Sequence, residues 1–282
     1  MHLILCANAL VTSEVSSATS AKPLKSKNAR VVILPRLTTT FAYFLGYLLG
    51  DGCTSISGHP TVSISCHSID EDDLARRVIV PLITRLFGIR PSLFKKRNQN
   101  AYCISFGSKQ VVTYLTDVVG FPLGQFPKVV PRLISSSRMR IKVAFVRGLF
   151  DADGSIILSK KTYQNPVYPS IELKSVDRNI LQWVMGVLKE QGFRVSQGRS
   201  AESWVLRVNG SDMLVRWMRK IGSGNLKHIS KYQVWQKYGY CPPNTNVPQR
   251  LDLLRTSPNS GKTNINSSVA VGLCRGSSAC PG

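Results

Sequence analysis

A nine-residue pattern that occurs twice constrains the fold more than any other feature of the chain. The first copy is FLGYLLGDG at residues 44–52, and the second is VRGLFDADG at residues 146–154. Each copy ends an apolar run that lacks the period of two expected for a strand, so each predicts the end of a buried helix. We expect the glycine after the last aspartate of each copy to take the left-handed conformation that commonly follows a helix.

Small residues occupy one face of each predicted helix. Gly46 and Gly50 are four residues apart, as are Gly148 and Ala152, and positions i and i+4 share a helix face. Two such faces can pack backbone against backbone. We therefore predict that the two helices approach each other more closely than the usual ~8–10 Å between helix axes.

This pairing would place the final aspartates of the two copies, Asp51 and Asp153, beside each other. A carboxylate is unfavourable at a helix C-terminus because the helix dipole is negative there, and adjacent carboxylates raise each other's pKa. A divalent cation with oxygen ligands relieves both effects. The sequence therefore predicts a metal site at a pseudo-twofold interface between two helices.

The segments that follow the two copies contain the same elements in the same order. In each half, patterns typical of two strands, a helix, two more strands and a last helix follow the first helix. Asp153 lies 102 residues after Asp51, and Ser211 lies 103 residues after Ser108, where each begins the last helix of its half. The sequence thus predicts an α+β fold made of two αββαββα units with antiparallel sheets.

The expected boundaries follow from this duplication. Residues 39–135 form the first repeat and residues 136–240 the second. Residues 1–38 are expected to be a flexible leader, with an organelle presequence as the alternative for its Ser-rich, acid-poor part. Residues 241–282 are rich in Pro, Asn, Ser and Gly and are expected to be a mostly disordered tail.

The two copies resemble the LAGLIDADG motif, and residues 39–240 resemble a single-chain, two-motif LAGLIDADG homing endonuclease. The second copy keeps the motif closely; the first has Leu49 at the variable acidic position and Gly50 in place of alanine. Neither change affects the final Asp-Gly. The resemblance implies that the two sheets form a saddle over double-stranded DNA. It also implies Mg²⁺-dependent cleavage of a long site, with Mn²⁺ or Ca²⁺ as other ions for the same position.

The resemblance also implies which residues form the site. Asp51 and Asp153 are the expected metal ligands, and the residues before them, Gly50 and Ala152, belong to the same predicted metal site. The family places basic side chains near the metal, and Lys128, before the second motif helix, fits one of these positions.

Three further basic positions come from matching the two halves. Lys174, near the end of a predicted strand, fits the basic position of the family, and its match in the first half is His67. The match of Lys128 in the second half is either Lys227 or Lys231, and the sequence does not choose between them.

The charge of the chain favours a polyanionic partner. It has 37 Lys and Arg against 15 Asp and Glu, a formal net charge of +22, and neutralised phosphates give strong, salt-dependent binding. Strand alternation directs Tyr102, Ile104 and Phe106 to the core and leaves the opposite face to contact bases or phosphates. The predicted DNA-binding residues are Lys95, Lys96, Arg97, Ser105, Lys160, Lys161, Arg194, Gln197, Arg199 and Arg207.

Two other functions are compatible with the same fold. An RNA-binding maturase that assists intron splicing is the main alternative, and a DNA-binding regulator is the other; the two retained aspartates argue against both. An intein is disfavoured because position 1 has no nucleophile and no terminal His-Asn is present. We expect an intracellular protein, in the cytoplasm, the nucleoid or an organelle, because the seven cysteines form no C-x-x-C pair, and no apolar run reaches a membrane span. The resemblance implies a monomer with internal pseudo-twofold symmetry.

Overall fold

The computed structural model describes residues 32–124, 128–158 and 168–256. Its first half consists of α1 (Thr39–Asp51), β1 (Gly52–Ser55), β2 (Thr61–His67), a π-helical segment (Leu74–Ile79) that continues into α2 (Val80–Phe87), β3 (Ser92–Lys95), β4 (Ala101–Gly107), α3 (Lys109–Thr113), a second π-helical segment (Tyr114–Val118) and α4 (Arg132–Ser135). Its second half consists of α5 (Met139–Asp153), β5 (Gly154–Ile157), β6 (Ser170–Ser175), α6 (Arg178–Glu190), β7 (Val195–Ser200), β8 (Ser203–Asn209), α7 (Ser211–Lys220), α8 (Leu226–Tyr238) and α9 (Val247–Arg255).

The described strands form two antiparallel four-stranded sheets of identical topology. Their strand orders are β1-β2-β4-β3 and β5-β6-β8-β7. Gly52 pairs with Ile64 in the first sheet, and Gly154 pairs with Leu173 in the second. The predicted α+β fold with two αββαββα units is confirmed, and the register makes Ile64 and Leu173 equivalent positions.

The two motif helices, α1 and α5, pack through their small residues as the motif spacing predicts. A Cβ atom on Gly46 would lie 2.0 Å from the carbonyl oxygen of Phe145, and one on Gly148 would lie 2.0 Å from that of Tyr43. No Cβ can sit that close to a backbone atom. The helix backbones are therefore in direct contact, and the core of each half builds outward from this contact.

The expected left-handed glycine after each motif is wrong. Gly52 has φ −99° and Gly154 has φ −83°, and both are extended. Each glycine is the first residue of a strand, so the chain passes directly from helix to sheet. Glycine is required here for space: a Cβ would lie 2.3 Å from the carbonyl oxygen of Leu48 at Gly52, and 2.1 Å from the Phe150 ring at Gly154.

The expectation of disorder is wrong for residues 241–256. After an additional helix, α8, this segment forms α9, which packs against α8. Asn246 and Gln249 form a capping box at its start, and the Arg250 side chain is buried, at 1% exposure. Only a few apolar residues of this helix, Val247, Leu253 and Leu254, are buried or pack against the core, which is too few to give a clear apolar period in the sequence. The remaining parts of the predicted leader and tail, residues 1–31 and 257–282, lie outside the described residues.

A membrane span is absent from the helices of the three described ranges. None of them is both long enough and apolar enough to cross a bilayer.

Candidate active site at the helix interface

The two motif aspartates lie at the adjoining ends of α1 and α5. A Cβ on Gly50 would lie 3.4 Å from the Asp153 carboxylate, which shows how close Asp153 is to the end of α1. Burial, together with the charges of Asp153 and Glu71, raises the pKa of Asp51 to about 7, and the charges of Lys227 and Lys128 oppose this shift. Two carboxylates therefore share a partly desolvated site, as predicted from the motif.

Replacing Asp51 with asparagine should stabilise the metal-free protein at alkaline pH. The folded chain holds the Asp51 proton to a pKa of about 7, whereas an unfolded chain releases it near pH ~4. The contribution of Asp51 to the free energy of unfolding therefore falls as the pH rises from about 4 to about 7. For a half-buried carboxylate we expect Asp51→Asn to gain about 2 kcal/mol relative to wild type between pH 5 and pH 8.

Urea unfolding at both pH values, with a chelator present, measures this gain. Asp252→Asn is the matched control, because Asp252 is an exposed acid paired with Arg255, and its stability difference from wild type should not change with pH. Parallel stability curves for Asp51→Asn and the wild type would contradict the expected pKa.

Lys128 reaches the site from the connection between the two repeats. Its Nζ donates to Oδ2 of Asp153 at 2.6 Å and to the carbonyl oxygen of Gly50 at 3.0 Å. One ammonium thus bridges the ends of both motif helices. The Gly50 carbonyl, predicted as part of the metal site, is occupied by this hydrogen bond.

The structure distinguishes between the two lysines that the sequence left open. Nζ of Lys227 donates to Oε1 of Glu71 at 2.6 Å, and its charge lowers the pKa of Asp51. Nζ of Lys231 instead donates to the carbonyl oxygen of Ile156 at 3.3 Å. Lys227 is therefore the lysine beside Asp51.

The predicted match between Lys174 and His67 is wrong by two positions. Because Leu173 and Ile64 occupy equivalent places in the two sheets, Lys174 corresponds to Ser65. Lys174 lines one cleft with Lys128 and Asp153. His67 instead lies at the end of β2, where its Nδ1 accepts from the backbone N–H of Asp70 at 3.2 Å. The strand-to-helix connection differs between the halves, and matching by helix starts therefore shifts the alignment.

A buried acid of the second motif organises the loop before α8. Asp151 accepts hydrogen bonds from the Tyr43 hydroxyl at 2.8 Å, from the backbone N–H of Gly224 at 2.6 Å and from the Ser223 hydroxyl. Burial raises the pKa of Asp151, but His228, the charge of Arg147 and the Ser223 hydroxyl outweigh it and hold the pKa below its usual range. The first motif has Leu49 at this position, so the network exists in one half only.

Glu71 is the residue of this site that sequence reasoning missed. Its side chain, 4% exposed, accepts from the backbone N–H of His67 at 2.7 Å, from Asn225 Nδ2 at 3.0 Å and from Lys227. In the sequence it is one of four residues, 70–73, of which three are aspartates, and the run is typical of the first turn of a helix. The only feature of the sequence that distinguishes Glu71 is that it is the single glutamate in this acidic run.

Predicted DNA-binding residues of the first repeat lie together. Lys95, Lys96 and Arg97 line a cleft at the turn after β3. Lys96 Nζ donates to Ser65 Oγ at 3.3 Å, which places an ammonium at the position equivalent to Lys174. Ser105 lies on β4 opposite Ser63 and Ser92.

Predicted DNA-binding residues of the second repeat are held by other side chains. Arg194 pairs with Asp212 at 2.8 Å, and Arg207 pairs with Glu172 at 2.9 Å. The Arg199 guanidinium lies 5.3 Å from the ring centre of Trp204. The amide nitrogen of Gln197 on β7 is buried. Lys160 and Lys161 lie outside the described residues.

The second half of the chain matches a known protein family. A family model described as a LAGLIDADG-like domain matches residues 140–222, which include the second motif and both strand pairs of the second sheet. The second half is therefore similar to LAGLIDADG-like domains. The resemblance recognised in the two sequence motifs is confirmed.

Sequence relatives fall into two groups. The chain is 27% identical to the homing endonuclease I-ApeI of Aeropyrum pernix over 156 residues, which are 53% of this chain and 67% of that protein. It is 27% identical over 224 residues to the replicative DNA helicase DnaB of a Nostoc species, and 26% identical over 231 residues to that of Rhodothermus marinus. The chain spans only about a quarter of the length of these helicases, 25% and 23%.

Solved structures of LAGLIDADG proteins are similar at low sequence identity. I-DmoI in complex with DNA and Mn has 18% identity and a TM-score of 0.47, and the match covers 67% of this chain and 98% of that one. I-DmoI in complex with DNA and Ca has 20% identity and a TM-score of 0.46 over 65% and 88%. Full-length DUF199/WhiA has 14% identity and a TM-score of 0.46 over 77% and 65%.

Proposed function

We propose that this protein is a homing-type DNA endonuclease that cuts both strands of a long double-stranded site. The observation that carries the proposal is the pair of motif carboxylates, Asp51 and Asp153, held at the end of a backbone-to-backbone helix pair with a lysine next to each. The similarity to I-ApeI and the net charge of +22 support DNA as the substrate.

The donor set fits Mg²⁺. Asp51 and Asp153 offer two carboxylates, and within the described residues no group of three or more His, Cys, Asp or Glu side chains is arranged to hold a metal ion. Mg²⁺ binds through one or two carboxylates and keeps its other positions for water and substrate phosphates. Asp51 and Asp153 would hold the ion, and Mn²⁺ or Ca²⁺ would use the same oxygens. When bound, the ion would supply charge stabilisation and a more acidic water for phosphodiester hydrolysis.

The lysines supply the remaining positive charge. Lys128 and Lys227 lie beside Asp153 and Asp51 respectively, where each ammonium can donate to a phosphate oxygen of one strand. Preorganised hydrogen-bond donors stabilise the negative charge that develops on the phosphate oxygens when water attacks and the 3′ oxygen leaves. Lys174, which lines the cleft of Lys128 and Asp153, adds a third donor there.

The basic side chains at the end of β3 are proposed to bind the phosphate backbone and the nucleobases of DNA. Lys95, Lys96 and Arg97 are contiguous and have no acidic partner among the described residues. Arg194 and Arg207 already pair with acids, and they would have to exchange these partners for phosphate. The two repeats within one chain are proposed to act as a monomer on a pseudo-symmetric site.

One cleavage experiment tests this function. Purified protein and Mg²⁺ are incubated with DNA that carries the uninterrupted sequence flanking the gene, and double-strand breaks are measured. We expect the wild type to cut, Asp51→Asn and Asp153→Asn to lose cutting, and Asp252→Asn to retain it. DNA binding without cutting, unchanged in both motif variants, would contradict the proposal and favour a maturase or a regulator.

A further inference from the structure

We infer that Glu71 is a positioning residue that holds Lys227 beside Asp51 and makes the two halves of the site unequal. The inference deepens the proposed endonuclease function and rests on it. Glu71 would govern the cutting of the strand served by Lys227 and Asp51. Lys128 and Asp153 would serve the other strand.

The Glu71 carboxylate is fixed by contacts at both oxygens. Oε2 accepts from the backbone N–H of His67 at 2.7 Å, and Oε1 accepts from Lys227 Nζ at 2.6 Å and Asn225 Nδ2 at 3.0 Å. The carboxylate is almost wholly buried. Hydrogen bonds between charged groups in such surroundings are short and strong, so this contact determines where the Lys227 ammonium lies.

The partners of Glu71 connect the first repeat to the second motif helix. Asn225 begins α8: its Oδ1 accepts from the backbone N–H of Lys227 at 2.9 Å. Nδ2 of the same side chain donates to the backbone carbonyl of Asp151 at 2.9 Å as well as to Glu71. Glu71 therefore sets the position of Lys227 relative to both motif helices.

The other half of the site is arranged differently. Lys128 donates directly to the Asp153 carboxylate, so this lysine competes with any cation for that oxygen. Lys227 donates to Glu71, and no side chain in the described ranges donates a hydrogen bond to the Asp51 carboxylate. The cleft beside Asp153 and Lys128 is lined by the apolar side chains Leu173, Ile180 and Leu181, and no counterpart of Glu71 is among its lining residues.

This difference has a direct chemical consequence. With Glu71 in place, the Lys227 ammonium is near Asp51 and leaves both Asp51 oxygens available to a cation. Without Glu71, the ammonium is free to pair with Asp51, as Lys128 does with Asp153. Loss of Glu71 should therefore impair the Asp51 half of the site and spare the Asp153 half.

Strand-specific cleavage tests the inference. The duplex is labelled on either strand, and the cutting rate of each strand is measured for the wild type, Glu71→Gln, Lys227→Met and Lys128→Met. We expect Glu71→Gln to slow one strand by about 10–100-fold, as substitutions behind a metal ligand do. The slowed strand should be the one whose cutting is slowed more by Lys227→Met than by Lys128→Met. Asp73→Asn, in the same acidic run and paired with the exposed Arg77, is the matched control and should cut as the wild type does.

A double variant separates positioning from general stability. In the Lys227→Met background, adding Glu71→Gln should change the rate of that strand less than about twofold, because Glu71 acts through Lys227. If Glu71→Gln does not fold, Glu71→Asp replaces it, since it keeps the charge but withdraws it from Lys227, and the same strand bias is expected.

Each other outcome overturns the inference. Equal slowing of both strands would show that Glu71 only supports the fold, and unchanged rates on both strands would show that it has no role. A wild type that leaves the DNA intact would overturn the proposed endonuclease and this inference with it. If the wild type cuts both strands but Glu71→Gln shows no strand bias, the inference about Glu71 fails and the proposed endonuclease function stands.

Discussion

Gly148→Ala should destabilise the protein by about 3 kcal/mol or more, although alanine is the better helix former. The added Cβ would lie 2.0 Å from the carbonyl oxygen of Tyr43 and 2.9 Å from the backbone nitrogen of Tyr47. Both are backbone atoms of α1, so no side-chain rotation can relieve the overlap. The two motif helices would have to separate, and separation would loosen the cores of both repeats, which build on this contact.

Urea unfolding measures the effect, and the chain provides a matched control. Gly186 lies exposed on α6, and a Cβ added there would meet no atom within 4 Å, so Gly186→Ala should gain about 0.4–1 kcal/mol from helix propensity. Gly46→Ala, whose Cβ would lie 2.0 Å from the carbonyl oxygen of Phe145, should behave as Gly148→Ala does. Equal urea midpoints for Gly148→Ala and Gly186→Ala would contradict the close helix contact.

The glycine contact also explains why so much of the fold could be predicted. The small residues of the two motifs determine how α1 and α5 pair, and the pairing determines where Asp51 and Asp153 lie. Strand alternation and the matched positions of Ser108 and Ser211 then predict the remaining elements, and the Ser108 side chain does accept a hydrogen bond at the start of its helix. These signals are local or repeat at a fixed interval, so they can be recognised in a single sequence without an alignment.

The register of the basic positions could not be obtained in the same way. Matching Lys174 with His67 assumed that the strand-to-helix connections of the two halves are alike. The structure pairs Leu173 with Gly154 and Ile64 with Gly52, which assigns Ser65 to the position of Lys174. Register depends on hydrogen bonds between strands that are distant in sequence, and a short polar connection does not record them.

The choice of Lys227 over Lys231 depended on a contact between the repeats. Glu71 and Lys227 are 156 residues apart and meet at 2.6 Å. Neither residue belongs to a motif, and each alone resembles an ordinary charged residue of a helix start. Only the folded arrangement shows that the acid and the lysine are partners.

Arg250→Met should destabilise the protein by about 3 kcal/mol, because its buried guanidinium helps to hold α9 in place. Arg250 Nε donates to Ser230 Oγ at 2.9 Å, and the other nitrogens donate to the carbonyl oxygen of Thr245 and, at 3.5 Å, to that of Lys227. Asp70, in the first repeat, lies 3.8 Å from the same guanidinium. Removing one partner of a buried charged network leaves the others unsatisfied, which costs about 3–5 kcal/mol in comparable cases.

Arg255→Met is the control for this variant, because Arg255 lies on the same helix, is exposed and pairs only with the exposed Asp252 among the described acids. Its urea midpoint should match that of the wild type, whereas the midpoint of Arg250→Met should fall. Arg250 contacts the backbone of Lys227 and the side chain of Asp70, which precedes Glu71. Loss of Arg250 should therefore also slow the cutting of the strand that Lys227→Met affects. An Arg250→Met protein with wild-type stability would mean that residues 241–256 do not bridge the two repeats in solution.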